Sequence, residues 1–536
     1  MRAADILARR LYEAGCRFAF GMPGGEVLTL LDAMERAGIR FILAKHENAA
    51  GFMAEATWHR TGAPGILLGT VGPGILNAVN VVANAEQDRV PLIAIAGCVD
   101  PAERLTYSHQ VLDHTKVFDP ICKAVFTLTA EAPGEAAEKA VQAAMSPRSG
   151  PVFIDVPITV AEAECGVGYA LRHPEPSPSV PAEGPELARA QSMLSGARRP
   201  LMIAGFDAVC DDAGDAVRRF CETLNVPLIT TYKAKGLVPE DHACVVCAAA
   251  LSPSADAVVK PLVAQADLIL LAGYDPIEMR VGWRNLWNPA KTDVIEVVAR
   301  PNDQYMHQAT VSFVADIGRT LDLLRSGMTG SATWPDQAPT GMRDRLRQSN
   351  GATAEWGPGA IADTVRTAVP RNTVATVDSG AHRIVLSQVY RCFEPRSLLQ
   401  SMGLCTMGCA LPLAIGTKIA DPARPVVAFT GDGGLMMVLG ELSTLADYRL
   451  PIPVIVFSDR SLALIELKQR GMQLGNAGVD FAGGYDYGAL AKAFGGECAT
   501  VRDRAALAAA VKDALSAETF TLIVCEIDRR SYDGVL

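Results

Sequence analysis

The chain is 536 residues long and carries a net charge of −10, with 49% hydrophobic and 20% charged residues. Single hydrophobic cores stop growing well below this length, so several domains are expected. The acidic balance, with no dense basic run, argues against a nucleic-acid binder, and no apolar stretch reaches membrane-spanning length without charge or turn residues.

The opening MRAADILARRLYEAG reads as an amphipathic helix and lacks the long apolar core of a secretion signal, so a cytoplasmic location is expected. The proline-rich residues 172–185 and the polar, Gly- and Ser-rich residues 326–359 read as linkers. They divide the chain into three α/β blocks, 1–171, 186–326 and 358–536, and the outer two could be one fold used twice.

In the first block, Phe18-Ala19-Phe20 leads into Gly21-Met22-Pro23-Gly24-Gly25, a tight turn that leaves backbone donors exposed. ILAKHENAAGFMAEA places His46 and Glu47 where a strand runs into a helix. Taken alone, a glutamate there is a favourable charge–dipole contact. TVGPGILNAV (70–79) and AEQDRVPLIAIAG (85–97) follow, then Ser108-His109-Gln110 in a polar and aromatic segment. His109 and Gln110 are candidate substrate contacts, and His109 reads equally as a solvated loop residue.

The middle block shows four buried parallel strands, within 198–206, 225–232, 266–274 and 292–298, separated by helical segments, which is the doubly wound class. Most of the thirteen cysteines lie singly among apolar or small residues. Cys244 and Cys247 form a pair near His242, but without a second pair a zinc site lacks ligands. They read as free thiols on a buried strand.

The third block opens with a strand over 373–377 and Asp378-Ser379-Gly380-Ala381-His382 at its end. SMGLCTMGCALPLAIG (401–416) follows. PVVAFT and IPVIVF then read as buried parallel strands, with Leu435, Val438, Leu439, Leu442, Leu445 and Ala446 at helical spacing between them. A right-handed crossover brings both strand ends to one sheet edge, carrying Gly431-Asp432-Gly433-Gly434 and Ser458-Asp459-Arg460-Ser461. Two carboxylates converging there repel unless a cation lies between them. Hard cations such as Mg²⁺ take oxygen ligands and bind phosphates as well; Gly433 and Gly434, at a helix N-terminus, offer N–H groups to those phosphates. In the plainer alternative Asp432 caps a helix and Gly434 eases a turn. Lys468, Gln469 and Arg470 read as holders of an anionic substrate or, by preference, as a solvated helix face, and the Gly-rich residues 471–484 as a cover.

GMPGG, HENAAGFMAEA, TVGPGILNAV, AEQDRVPLIAIAG, the TMG segment and GDGG occur in an order that resembles the thiamine-diphosphate enzymes: acetolactate synthase, pyruvate oxidase and the 2-oxo acid decarboxylases. The resemblance covers nearly the whole chain and implies an α/β fold of three doubly wound parallel-sheet domains: pyrimidine-binding, central Rossmann-like and diphosphate-binding. It places Glu47 at the carboxyl group that bonds the cofactor's pyrimidine nitrogen and favours the imino form that deprotonates the thiazolium carbon. It makes Asp432, Asp459 and the Ser461 carbonyl ligands of Mg²⁺, with Asp459 where the family usually has asparagine. Gly380, Ala381, His382, Gly433 and Gly434 become contacts for thiamine diphosphate, Met407 the wedge that bends it, and the Cys405 carbonyl the acceptor for its amino group.

His109-Gln110 stands where acetolactate synthases carry Phe-Gln, and Leu464, Ile465, Leu467 and Lys468 stand where relatives line the substrate channel. Gly25 and Ile465 replace acids of the simple pyruvate decarboxylases. AGYDPIEMR and VVARPNDQY depart from the family's flavin segments, so FAD is not expected. The implied function is Mg²⁺-dependent decarboxylation of a 2-oxo acid with carboligation to a second carbonyl, as in acetolactate synthase. The alternatives are a non-ligating decarboxylase or C–C lyase, and a non-catalytic regulatory paralogue that binds the cofactor. A homodimer or homotetramer is implied too, because the family's catalytic glutamate reaches a cofactor held by another subunit.

Overall fold

The computed structural model describes residues 1–166, 177–249, 252–302, 304–330, 334 and 337–536. Residues 167–176, which include the start of the first expected linker, residues 331–333 and 335–336 of the second, and Asp303 of the flavin-like segment lie outside the described residues. The strands are β1 (Phe18–Met22), β2 (Arg40–Leu43), β3 (Gly65–Gly69), β4 (Leu92–Cys98), β5 (Ala124–Thr127), β6 (Pro151–Pro157), β7 (Pro200–Ala204), β8 (Leu228–Thr231), β9 (Val245–Ala249), β10 (Leu268–Ala272), β11 (Asp293–Val298), β12 (Val311–Val314), β13 (Val374–Val377), β14 (Leu398–Gln400), β15 (Val426–Gly431), β16 (Pro453–Ser458), β17 (Glu497–Val501) and β18 (Thr521–Glu526). They form three six-stranded sheets in which every pairing is parallel. Parallel sheets need helices on both faces, and β3, β4, β6, β7 and β10 are accordingly buried along their whole length.

The first sheet runs β2-β1-β3-β4-β6-β5 and the third runs β14-β13-β15-β16-β18-β17. These are one order, displaced by twelve strands, so the outer blocks share a topology. The middle sheet, β9-β8-β7-β10-β11-β12, has the 3-2-1-4-5-6 order of dinucleotide-binding folds. Among the described residues no helix is long and apolar enough to cross a membrane.

The outer sheets meet through the helix Glu47–Thr61, which the His46 ring caps by accepting from Asn48 N at 3.1 Å. A helix buried on nearly every side needs small residues where neighbours approach. Gly51 leaves room for Val81, and Gly416, on the facing helix Ala410–Ala420, leaves room for the Met53 carbonyl, 2.1 Å from where a Cβ would stand. The single helix expected over 435–446 is in fact two, Asp432–Met437 and Glu441–Asp447. The break at Val438–Gly440 brings Glu441 to the Thr444 hydroxyl at 2.7 Å and to Lys45 N at 3.0 Å, while Leu435, Leu442 and Leu445 remain buried.

All three domains converge on a buried polar junction. Asn84 Nδ2 donates to Glu55 and Asp88, and Ser401 Oγ donates to Asn84 Oδ1 at 2.5 Å. Asp88 also accepts from Met402 N and Gly403 N, and the middle domain's Lys233 lies 3.5 Å from it. Burial, with the Asp88 charge beside it, pushes the Glu55 carboxyl up to about 8.

An unfolded glutamate titrates near 4.3, so between about pH 4 and 8 the folded chain binds more protons and Glu55 makes stability fall as pH rises. The always-neutral Glu55→Gln should gain stability relative to the native chain across that window, on the order of 1 kcal/mol per pH unit, read from urea midpoints. Parallel profiles for the two proteins would refute a protonated Glu55.

Candidate active site

The C-terminal edge of the third sheet gathers four strand ends. Asp432, at the end of β15, accepts from Gly433 N at 2.9 Å and from Arg460 N at 2.7 Å, which ties it to the turn after β16. In that turn Asp459 Oδ1 accepts from Ser461 N at 2.9 Å and Ser461 Oγ at 2.8 Å. Burial pushes Asp432 up to about 6; burial, with the Asp432 charge beside it, pushes Asp459 up to about 7. Two carboxylates that disfavour each other's charge are a donor set a hard cation would satisfy. Among the described residues no group of three or more His, Cys, Asp or Glu could hold a metal. An ion here would take two carboxylates and complete its shell with backbone, water and phosphate oxygens, as Mg²⁺ commonly does.

The neighbouring surface suits a diphosphate. Gly380, Ala381 and His382 start the helix Ala381–Val389 beyond β13. The His382 ring stacks on Phe457 with centroids 5.1 Å apart, and its buried Nε2 has no partner. Burial holds His382 down to about 3, so the ring is neutral. Ser379 Oγ is a second buried polar atom without a partner. Gly433 lies under Phe481 and Leu462, which a Cβ would meet at 3.1 and 3.2 Å. Residues 479–481, within the stretch expected as a cover, are tied to the turn after β16 by Leu462 N donating to the Val479 carbonyl and Phe481 N to the Arg460 carbonyl.

Met407 and Cys405 project from the loop after β14. Cys405 has a left-handed φ of 56°, its thiol accepts from Arg383 at 3.1 Å, and Met407 is half-buried. Ile465 is exposed at 43%, and Lys468 is exposed, while Arg470 is engaged by Glu466 and by Asp533 at 2.7 Å. The solvated-face reading of that helix therefore suits Arg470.

The other candidates lie on the C-terminal edge of the first sheet. Glu47, at the end of β2, is buried and accepts from Asn77 Nδ2 at 3.0 Å. Gln110 has a left-handed φ of 56° and packs near Gly72, whose N–H donates to His114 Nε2 at 3.1 Å, with Asp155 on the other ring nitrogen. His109 is exposed, edge-on to Tyr107. Among the described residues no hydrogen bond joins Glu47 to Asp432, His382 or Met407 within the chain. Both edges carry exposed apolar side chains: Met22, Leu28, Leu43 and Leu76 on the first, Leu404 and Met437 on the third.

The residues that hold these groups in place escaped the sequence reading. Asp378 accepts from Gly408 N, Ser379 N and Thr430 Oγ1, Asn77 orients Glu47, and Glu26 accepts from Thr70 Oγ1 at 2.6 Å beside Gly25. Asn77 lies within a motif already singled out and Asp378 heads another, but their partners are remote in sequence.

Family models match all three parts of the chain: thiamine pyrophosphate enzyme N-terminal TPP binding domain over 1–117, central domain over 187–324, and C-terminal TPP binding domain over 378–525. The chain is 29% identical over 540 residues to acetolactate synthase of Bacillus subtilis, covering 98% of this chain and 93% of that protein. It is 28% identical over 532 residues to the acetolactate synthase isozyme 1 large subunit of Escherichia coli, covering 98% and 94%. It is also 30% identical over 512 residues to a probable 2-ketoarginine decarboxylase of Pseudomonas aeruginosa, covering 92% and 88%.

A Cβ at Gly434 would stand 1.9 Å from Asp378 Oδ2, so Gly434→Ala must push that carboxylate off its donors. The substitution should lower stability by about 1–3 kcal/mol in urea unfolding of the ligand-free protein. Gly433→Ala, whose nearest neighbours are side chains at longer distance, should lower it less. Equal losses would argue against Asp378 as the fixed point of this edge.

Proposed function

This chain belongs to the thiamine pyrophosphate enzymes, and from that premise we infer that it decarboxylates a 2-oxo acid and transfers the remaining carbon unit to a second carbonyl compound, as an acetolactate synthase does. When bound, the cofactor supplies a nucleophilic carbon and an electron sink that makes the carboxylate of a 2-oxo acid labile. The chain's own residues bind and orient it. Asp432, Asp459 and the Ser461 carbonyl would hold Mg²⁺, and Gly433, Gly434, Gly380, Ala381 and His382 would face the diphosphate. The neutral His382, with an unpartnered Nε2, is suited to donate to a phosphate oxygen once that nitrogen carries the proton. Met407 and the Cys405 carbonyl, on the loop after β14, would pack against the cofactor and accept from its amino group. Glu47, oriented by Asn77, holds the proton on the pyrimidine nitrogen.

The observation that carries ligation is the space at Gly25. A Cβ there would meet nothing within 4 Å, leaving room for an acceptor, and neither Gly25 nor Ile465 offers a carboxylic acid to quench the carbon unit with a proton. At the middle domain's switch point, between β7 and β10, Gly205 N donates to the Ala272 carbonyl and Asp207 N to the Gly273 carbonyl. Asp275 of the flavin-like segment is buried in ion pairs with Arg89 and Arg148 of the first domain.

A second reading, decarboxylation ended by protonation, is favoured by the Pseudomonas relative named a probable 2-ketoarginine decarboxylase; the exposed His109 is then the proton donor. The two readings separate in one experiment. Protein loaded with thiamine diphosphate and Mg²⁺ is incubated with a panel of 2-oxo acids, alone and with aldehyde acceptors, and the products are weighed. Acyloin or acetohydroxy-acid products are expected, and free aldehyde alone across all acceptors would overturn ligation.

We also propose that the site is completed by a second copy, which brings the exposed apolar rim around Glu47 against the one around Met437. Glu47→Gln and Asp432→Ala should each lose about 10²-fold or more in kcat. Mixing the two inactive proteins should restore part of the activity, because a hybrid dimer holds one intact site. Failure to regain activity, with hybrid formation verified by mass, would place Glu47 and Asp432 in a site within one chain.

A further inference from the structure

On the middle sheet, at the edge opposite the switch-point crevice, a half-buried thiol stands in a line of polar groups. Cys244 immediately precedes β9, and Cys221 lies near the end of the helix Gly214–Leu224 that leads into β8. Cys244 therefore lies just off the buried strand that was expected to hold it, while Cys247 lies on it. Cys244 Sγ is 3.1 Å from His242 Nδ1, and His242 Nε2 is 3.0 Å from Glu222 Oε1. Cys244 N also donates to Nδ1, at 3.3 Å. This network leaves Nδ1 as acceptor and Nε2 as donor, the tautomer in which the imidazole can take the thiol's proton while Glu222 orients it.

The buried Cys221 thiol, whose Sγ lies 4.0 Å from Met202 Sδ, borders the same recess as Cys244. All four side chains line a recess of about 730 Å³ that Trp334 and Arg343 share, so small molecules reach the sulfur. Cys16, Cys98, Cys247 and Cys392 are each pushed up to about 12 by burial, whereas Cys244 is drawn down to about 7 by the Cys221 hydrogen bond and then by His242.

We propose that Cys244 is a peroxide-reactive thiol, with His242 as its proton acceptor, Glu222 orienting the imidazole and Cys221 as the resolving thiol. The Cys244 sulfur attacks one oxygen of a hydroperoxide ROOH. The S–O bond forms, the O–O bond breaks, and the departing RO⁻ takes the proton held by His242 and leaves as ROH. Cys244 is thereby oxidised by two electrons to the sulfenic acid and the peroxide reduced by two. The Cys221 sulfur then attacks the Cys244 sulfur. The S–S bond forms, and hydroxide leaves with the Cys221 proton as water. Two thiols and ROOH thus become one disulfide, ROH and H₂O, in a step separate from the thiamine chemistry.

The test treats the reduced, full-length protein with graded hydrogen peroxide, then digests it without reductant and weighs the peptides. The peptides bearing Cys221 and Cys244 should appear linked with the loss of two hydrogens. In Cys221→Ser, dimedone should instead label Cys244. Iodoacetamide should alkylate Cys244 with a half-maximal rate near pH 7, against about 8.5 for an ordinary thiol. His242→Asn should raise that midpoint by about one unit, and His242→Gln should raise it in the same direction if the asparagine variant does not fold. Absence of both the link and the dimedone adduct, or a midpoint at the ordinary value in the native protein, overturns the proposal.

Discussion

One buried carboxylate sets the geometry of the third sheet's edge. Asp378 Oδ1 accepts from Ser379 N, Gly408 N and Cys409 N, and Oδ2 accepts from Thr430 Oγ1. Those donors belong to the end of β13, the loop after β14 and the end of β15, so a single side chain ties three segments of the cradle. Its donors only partly offset the loss of water, and burial pushes it up to about 6. Two glycines follow from it. Gly434 lacks a side chain because Asp378 Oδ2 fills that space, and Gly408 presents its N–H to the carboxylate from a left-handed φ of 79°, which disfavours any other residue.

Asp88 holds the other end of the same loop from a different domain. It accepts from Met402 N and Gly403 N, and the Lys233 ammonium bonds its carbonyl. Thr406 meets Asn80 one turn earlier on the helix that carries Asn84 and Asp88. The loop bearing Cys405 and Met407 is therefore clamped at Met402–Gly403 by the first domain and at Gly408–Cys409 by the third. Side chains whose backbone is fixed at both ends keep their position without help from a ligand. Burial and the Asp88 charge both disfavour the ionised form of Glu55 at this junction.

The architecture was legible because all-parallel sheets demand apolar runs buried on both faces, and such runs stand out even without neighbours. The pairing of Asp432 with Asp459 was legible for the same reason: both sit at ends of recognisable strands joined by one crossover. The clamps were not. The donors to Asp88 lie 314 and 315 residues away, and they are backbone N–H groups, which leave no mark on composition or spacing. The helix over 435–446 broke where Glu441 meets Lys45, a contact between domains 396 residues apart. Cys244 and Cys247 are free thiols as expected, but Cys244 stands just before β9 and its polar partner is His242, two residues before it.

Asp459 shows how one departure changes a site's energetics without changing its shape. Its hydrogen bonds to Ser461 N and Oγ use Oδ1 alone, and the amide oxygen of an asparagine could accept both. The difference is charge. Next to Asp432, in a buried setting, the second carboxylate is opposed by its neighbour and only partly relieved by Arg529, which is itself paired with Asp480 at 2.5 Å. A divalent ion bound here would therefore remove a repulsion that an amide would never create, and its binding would stabilise the folded chain. Asp480 also bridges to Ser461, and Phe481 N bonds the Arg460 carbonyl. The segment carrying Asp480 and Phe481 is thus anchored to the turn that holds Asp459.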